Sequence, residues 1–289
     1  MKARSKIITL ALLILFFVGL SLLLYPAISQ YWNSKVQSKA VSLYENNLMS
    51  MSADEYSQFF RDAYDYNQKL SELDFPYTDY NKIDGYENAL DVNGKGMMGY
   101  VDIDKIQVKL PIYHGTSDSV LAQACGHLEG SSLPVGGEGT HAVLSAHRGL
   151  PSAKLFTNLD KMQIGDIFTV TILDRVLTYQ VDQIKIVKPN DLSYITAVPK
   201  KDYCTLLTCT PYGINTHRLL IRGVRVPTVN QKALYINSEA YLVDRIIVMP
   251  IVALPILFVL IVYVFFKPVR KKPKINTDDE DEEGDLKYE

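Results

Sequence analysis

Two long apolar blocks lie near the ends of this chain, and between them the hydrophobic pattern changes from a helical period to an alternating one. The first block runs from Ile7 to Tyr25 and follows three basic residues. The second runs from Ile246 to Phe266 and precedes a basic cluster. Because about 20 apolar residues suffice for a helix to cross a bilayer, both blocks predict transmembrane helices. No small-residue cleavage motif follows the first block, which favours an uncleaved signal anchor.

Basic residues flank the outer side of both blocks, and such flanks are typical of cytoplasmic segments. We therefore expect a protein of the cell membrane, with both termini cytoplasmic and the lipid bilayer as one partner. Residues from about 30 to 243 are then expected on the extracellular side.

The segment after the first block is polar and helical in pattern. A capping box at Ser52–Glu55, followed by apolar residues at helical spacing, predicts a second helix that packs on the domain. Residues 72–90 are acidic and aromatic and show no clear period, which predicts a long loop.

From residue 99 onward, short segments alternate apolar and polar residues. The predicted strands are 100–103, 106–110, 140–146, 168–172, 177–181, 203–209 and 219–226, with a short helix at 117–124. Roughly eight short strands at this spacing are typical of a closed barrel or a sandwich. The pattern alone leaves both architectures open.

Charge and cysteine content exclude several functions. The net charge of -2 argues against a general nucleic-acid-binding protein. Three cysteines, Cys125, Cys204 and Cys209, leave at least one thiol unpaired. Cys204 and Cys209 lie on one predicted strand about 16 Å apart, beyond disulfide reach. No CxxC pair or paired-histidine spacing occurs, so we expect neither a metal ion nor a cofactor.

Cys209 is the residue at which an apolar strand gives way to a Pro-x-Gly turn. The next strand begins at Arg218, which a hairpin returns to the side of the thiol. A fixed positive charge beside a thiol favours the thiolate, the form that attacks electrophiles. Cys209 is therefore a candidate nucleophile, and a half-buried structural cysteine is the alternative.

A thiol nucleophile needs an acid-base partner, and imidazole is the usual one. Five histidines are available: His114, His127, His141, His147 and His217. His147 ends an apolar strand as Cys209 does, whereas His141 begins that strand and is expected at its opposite end. Spacing alone does not choose among the five.

Residues 205–209 read TLLTC, which resembles the TLxTC signature of sortases, the cysteine transpeptidases of Gram-positive cell surfaces. Four longer segments resemble the pilus-assembling class C sortases in particular: 99–103, 110–115, 145–149 and 208–220. The resemblance covers about residues 35 to 270. It implies a mainly β fold, an eight-stranded sortase-like β-barrel with N-terminal helices and two flanking transmembrane helices. It also implies a catalytic histidine at His147, the nucleophile at Cys209 and a catalytic arginine at Arg218.

The resemblance further implies two acyl transfers. The Cys209 thiolate attacks the Thr carbonyl of a C-terminal, LPxTG-like sorting signal in a pilin or other surface protein. Arg218 binds the carbonyl oxygen, and His147 protonates the departing amine. A pilin lysine or a cell-wall amine then opens the thioester. Two other functions stay open: a housekeeping sortase that uses a peptidoglycan precursor, and an inactive membrane-tethered barrel that only binds pilins or cell-wall peptides.

Class C sortases usually carry a lid with an Asp-Pro-aromatic motif over the cleft, and this chain departs from that motif. Its corresponding loop reads DFPY, with one residue inserted between the aspartate and the proline. On this resemblance Asp74 would pair with Arg218. Phe75 or Tyr77 would cover Cys209. The alternative is an ordinary solvated loop.

The predicted organisation has eight parts. These are a cytoplasmic N-terminus (1–6), a signal anchor (7–25), a helical stalk (26–71), a lid-like loop (72–90), a β-barrel catalytic domain (91–227), a linker (228–245), a second transmembrane helix (246–266) and a cytoplasmic tail, basic and then acidic (267–289).

Overall fold

The computed structural model describes residues 2–228 of the chain. The predicted linker, second transmembrane helix and cytoplasmic tail lie outside the described residues. The first helix, α1 (Lys2–Met49), contains the first apolar block and continues without a break through the polar segment after it. By length and composition, it is the one helix of residues 2–228 that could span a membrane.

The second helix, α2 (Ala53–Ser71), begins at the predicted capping box. The Glu55 backbone N–H donates to Ser52 Oγ at 3.3 Å, and the Ser52 N–H donates to a Glu55 carboxylate oxygen at 2.7 Å. One face of α2 joins the barrel core through Phe60, Ala63, Tyr66 and Leu70. The prediction of a capped helix that packs on the domain is confirmed.

Residues 72–90, predicted as an irregular loop, contain three short helical turns. A one-turn helix, α3 (Pro76–Asp79), starts at a proline, whose missing N–H is unused at that position. Two 3₁₀ turns follow, at Tyr80–Lys82 and Tyr86–Asn88. Each turn is too short to produce a hydrophobic period, which is why the pattern does not predict it.

Eight strands form a closed barrel in the order β1-β2-β3-β4-β7-β8-β6-β5. Their bounds are β1 Met97–Ile103, β2 Val108–His114, β3 Cys125–His127, β4 Thr140–Ser145, β5 Ile167–Ile172, β6 Arg175–Val187, β7 Asp202–Thr210 and β8 His217–Val226. The β2–β3 and β4–β7 pairs are parallel, and the other pairs are antiparallel. The eight-stranded barrel is confirmed, and the sandwich is excluded.

Three local predictions need correction. The alternation pattern does not predict β3, because three residues are too few to show a period. The pattern starts β2 at residue 106, but Asp104–Ile106 forms a 3₁₀ turn and Gln107 has a φ of 51°, so the strand begins at Val108. The helix predicted at 117–124 is a single turn, α4 (Asp118–Leu121).

Helix α1 is fixed to the outside of the barrel through Tyr44, which is fully buried. The Tyr44 hydroxyl donates to the Met98 carbonyl oxygen and accepts from the Leu173 N–H, both at 2.8 Å. Because Met98 lies in β1 and Leu173 follows β5, one side chain of α1 is bonded to two neighbouring parts of the barrel.

Candidate active site

The candidate residues lie on the outer face of three adjacent strands, β4, β7 and β8. Side chains alternate between the faces of a strand, so Cys209 shares a face with Thr205, whereas Cys204 points the other way. The antiparallel register sets Arg218 opposite Cys209 and Arg222 opposite Thr205. The hairpin pairing of Cys209 with Arg218 that the sequence pattern predicts is therefore present.

The three thiols differ in accessibility. All three cysteines are free; Cys125 and Cys204 are fully buried, and Cys209 is partly exposed. Burial raises the pKa of the Cys125 thiol, and it raises the pKa of the Cys204 thiol well above its usual value. Neither buried cysteine can supply a thiolate at neutral pH. Cys209 remains as the thiol that a substrate can reach.

His147 lies just beyond the end of β4, at the level of Cys209. The parallel β4–β7 register ends at Ser145 opposite Leu207, two residues before each candidate. The pairing continues past the strand end, because the Ala146 N–H donates to the Leu207 carbonyl oxygen at 3.2 Å. His147 and Cys209 therefore share one rim of the barrel. Within the described chain, neither ring nitrogen of His147 has a hydrogen-bond partner.

In residues 2–228, no carboxylate neutralises the guanidinium of Arg218. It donates to the backbone carbonyl oxygens of Asn215 at 3.3 Å and His217 at 3.2 Å. Among the ion pairs of residues 2–228, none within 4.0 Å involves Arg218. This arginine keeps donors available for an anionic or carbonyl oxygen at the rim.

Three of the remaining histidines are buried, and one is exposed. His127 and His141 are buried, and burial lowers the pKa of each to about 4, so both are neutral at pH 7. His114 is also buried, with its ring nitrogens 2.9 and 2.8 Å from two backbone carbonyl oxygens. His217 is exposed at the start of β8, with Nδ1 2.9 Å from Thr216 Oγ1.

Arg148 is a residue of this rim that the sequence reasoning missed. Its side chain is only 9% exposed and pairs with Asp160 at 2.6 Å. It also donates to Thr210 Oγ1 at 3.4 Å, and its guanidinium carbon lies 5.9 Å from the centre of the Tyr212 ring. Arg148 thus links the segment after His147 to the segment after Cys209. The only feature of the sequence that could have indicated Arg148 is its position next to His147.

Tyr77 of α3 lies against the same outer face of the barrel. Its ring packs on an apolar cluster formed by Val143, Val187, Ile195 and Leu220, against which Leu207 also packs. The Tyr77 hydroxyl donates to the Ile195 carbonyl oxygen at 2.7 Å, and burial raises the pKa of this tyrosine.

The close approach of α3 depends on Gly130, which has a φ of +82°. A Cβ at this position would lie 2.6 Å from the Pro76 carbonyl oxygen and 2.5 Å from Tyr77 Cα. Any other residue would therefore displace α3 and would also strain the backbone.

The other two predicted lid residues lie in the solvent. Phe75 is 69% exposed, and Asp74 is exposed as well. No ion pair within 4.0 Å joins Asp74 to Arg218 in the described part of the chain. Of the three, Tyr77 is the side chain that packs on the barrel.

The comparisons with known proteins agree with the barrel fold. A family model described as a sortase domain matches residues 101–226. Sortase D of Bacillus subtilis (strain 168) is 33% identical over 131 residues, which cover 44% of this chain and 63% of that protein. The chain thus spans less than two thirds of this curated relative.

Solved structures match over a longer stretch. Sortase C1 from Streptococcus agalactiae is 47% identical with a TM-score of 0.61, and the match covers 66% of this chain and 100% of that one. Sortase C from Streptococcus pneumoniae is 45% identical with a TM-score of 0.57, covering 66% and 97%. The sortase model, the shared barrel and these identities lead to one conclusion: the chain belongs to the sortase family, among its class C members.

Proposed function

We propose that this protein is a membrane-anchored cysteine transpeptidase that cleaves LPxTG-like sorting signals between Thr and Gly and joins pilin subunits through a lysine side chain. The observation that carries the proposal is the shared rim, which holds Cys209 near the end of β7, Arg218 near the start of β8 and His147 just beyond β4. The apolar part of α1 supports the anchoring, and the family membership supports acyl transfer.

In the first step, the Cys209 thiolate attacks the Thr carbonyl carbon of the sorting signal. The Arg218 guanidinium, which has no carboxylate partner in the described chain, donates hydrogen bonds to the oxygen that gains negative charge. The Thr–Gly C–N bond then breaks, and the His147 imidazolium gives its proton to the Gly amine. The products are a thioester on Cys209 and a neutral His147.

In the second step, a lysine ε-amine attacks the thioester carbonyl. His147 takes the proton that the amine loses, and the C–S bond breaks to release the Cys209 thiolate. The new amide is an isopeptide bond, and the thiolate–imidazolium pair is restored. A water molecule in place of the amine would give simple hydrolysis.

The similar proteins support a pilin as the substrate, and the resemblance to class C sortases implies a pilin lysine as the acceptor. The structure of the S. pneumoniae sortase C is described in terms of catalysis and pilin substrate specificity, and another structural match is a pilus-related sortase C of Group B Streptococcus. A cell-wall amine is the competing acceptor, as in a housekeeping sortase.

We also propose that residues 72–80 form a lid, with Tyr77 as its inserted side chain. Tyr77 packs on apolar side chains of the face that leads to Cys209. A sorting signal that binds along this face has to displace it. Asp74 and Phe75 then belong to the exposed outer surface of the lid.

The test uses the full-length protein in detergent micelles with a peptide containing LPxTG and two competing acceptors, a lysine-bearing pilin peptide and a peptidoglycan stem peptide. Mass spectrometry should detect a thioester on Cys209 and then a product joined to the lysine. Cys209→Ala should give neither species.

Transfer to the stem peptide alone would assign the housekeeping function instead. Binding of the peptide without a thioester on the intact protein would identify a binding barrel and overturn the proposal.

A further inference from the structure

The segment that carries His147 forms a closed loop, here called the His147 loop (residues 147–156). Its two ends are joined by the Phe156 N–H, which donates to the His147 carbonyl oxygen at 3.1 Å. Next to that joint, the Gly149 N–H donates to Thr157 Oγ1 at 3.1 Å. Because the loop closes on the histidine itself, a displacement of the loop reaches the His147 backbone directly.

Two opposite sides of the His147 loop are attached to different parts of the molecule. On one side, Arg148 reaches Thr210, the residue after Cys209, at 3.4 Å. On the other side, Asn33 of α1 donates through Nδ2 to the Ser152 carbonyl oxygen at 2.8 Å. Gln30, one helical turn earlier, donates to the Pro151 carbonyl oxygen at 3.4 Å.

The His147 ring has no hydrogen-bond partner of its own in the described chain. His141, by contrast, has a partner within 3.0 Å at each ring nitrogen. A histidine whose ring is held in this way keeps its orientation independently of small backbone shifts. The His147 ring depends on its backbone for orientation, and that backbone depends on what holds the loop.

We infer that Asn33 is a positioning residue of the transpeptidase reaction: the membrane-anchoring helix holds the His147 loop so that the imidazole stays in reach of Cys209. Gln30 supports the same contact with a longer bond. The inference rests on the proposed role of His147. It extends the active-site scaffold into α1, a helix that the sequence pattern assigns only to anchoring and to the stalk.

The structure supplies a matched control on the same helix. Gln37 donates through Nε2 to the Gln123 carbonyl oxygen at 2.8 Å, a bond of the same type and length as that of Asn33. The Gln123 segment carries none of the proposed catalytic residues. Asn33→Asp and Gln37→Glu each replace an amide donor by a carboxylate of the same shape that cannot donate to a carbonyl oxygen.

The experiment uses the full chain in detergent micelles and measures kcat and KM for the sorting-signal peptide. It also measures the rate at which iodoacetamide alkylates Cys209 between pH 5 and 9. The fully buried Cys125 and Cys204 do not interfere with the alkylation.

We expect Asn33→Asp to lower kcat by about threefold to tenfold, the factor that one hydrogen bond supports, with KM unchanged. The pH profile of Cys209 alkylation should shift as well, because the imidazole no longer stays beside the thiolate. Gln37→Glu should keep kcat within about twofold and leave the profile unchanged. Asn33→Ala, which adds no charge, should reproduce the effect of Asn33→Asp.

Equal losses in the Asn33 and Gln37 variants would overturn the inference, since a general effect of α1 would explain both. Normal kcat and an unchanged pH profile in Asn33→Ala would do so too, because the Asp variant would then act through its charge. Alkylation of Cys209 needs no substrate, so its pH profile tests the positioning role even if the proposed peptide substrate is wrong. Failure of the proposed function would appear separately, as absent thioester in the unmodified protein.

Discussion

The outer face of β4, β7 and β8 carries a histidine, a hydroxyl or thiol, and an arginine at each of its two ends. At the first, here called the closed end, all three have partners within the protein. His141 Nε2 lies 2.7 Å from Thr205 Oγ1, and its Nδ1 lies 3.0 Å from the Thr196 carbonyl oxygen. Arg222, opposite Thr205, donates two bonds to Asp182, at 3.0 and 2.8 Å.

At the other end, here called the open end, His147, Cys209 and Arg218 have the same arrangement on the three segments. None of their side chains is bonded to another side chain in residues 2–228, and Cys209 and Arg218 are partly exposed. The comparison shows that residue types alone do not make a catalytic site. Chemistry becomes available where the hydrogen-bonding groups are unused and a substrate can reach them.

The largest expected difference is between substitutions of Cys209 at the open end and of Thr205 at the closed end. Cys209→Ala should abolish thioester formation, because no other thiol reaches the surface among the described residues. Thr205→Val should leave thioester formation intact but lower the free energy of unfolding by about 1–3 kcal/mol, since the buried His141 Nε2 loses its donor. Mass spectrometry of the acyl-enzyme and urea denaturation measure the two effects. Cys204→Ala and Cys125→Ala should resemble Thr205→Val, and pilin joining by Cys209→Ala would refute the assignment.

The next contrast concerns the arginines and histidines. Arg218→Ala and His147→Ala should each lower the turnover rate by about 10²–10³, the usual cost of removing a transition-state donor. Arg218→Lys should also be poor, because an ammonium does not reproduce the planar fork of donors. Arg222→Lys at the closed end should change mainly stability. Steady-state kinetics with the sorting-signal peptide compare the variants, and near-normal turnover in Arg218→Ala would remove it from the mechanism.

Two buried histidines, His141 at the closed end and His127 in β3, should also make the fold respond to acid. The pKa of His141 and of His127 is lowered to about 4 by burial, whereas each takes up a proton near pH 6.5 when unfolded. Their stabilisation of the fold is therefore complete above pH 6.5 and is lost as the pH falls toward 4. Each histidine should account for up to roughly 3 kcal/mol of this loss.

Urea denaturation at several pH values measures this effect, and His127→Gln should make the slope shallower. A free energy of unfolding that stays constant from pH 7 to pH 4 would contradict the buried neutral histidines.

The smallest expected effect is a difference among the lid residues in the rate of Cys209 alkylation. Tyr77→Ala should speed alkylation of Cys209 severalfold, because the cleft is then open for a larger fraction of the time. Phe75→Ala and Asp74→Ala should change the rate less, since both side chains lie in the solvent. Equal rates for all three variants and the unmodified protein would show that residues 72–80 do not gate the site.

The sequence predicts the β7–β8 part of the open end, because these two strands and their turn are local. The Pro-x-Gly turn forces Cys209 back onto Arg218, and strand length alone puts His147 at the other end from His141. The parallel contact of β4 with β7 is long-range, so no local pattern predicts that His141 bonds Thr205.

Two details of the site depend on packing that a single sequence does not show. The DFPY segment has no period, so the sequence does not distinguish Phe75 from Tyr77, whereas the fold partly buries Tyr77 and exposes Phe75. Asn33 lies on a helix whose polar residues look uniformly solvated in the sequence. Only the approach of the loop at Ser152 distinguishes Asn33 from its neighbours.

The unbroken course of α1 has a consequence for where the enzyme works. With residues 7–25 in a bilayer, residues 26–49 rise at most about 36 Å from its surface at 1.5 Å per residue. No flexible linker separates residues 26–49 from the barrel, since Tyr44 makes hydrogen bonds to two parts of the barrel. On the membrane anchoring proposed above, the rim with Cys209 therefore stays at a nearly constant distance from the bilayer. On the proposed function, a sorting signal then reaches Cys209 only within a thin layer above the membrane, and a substrate held outside that layer is not cleaved.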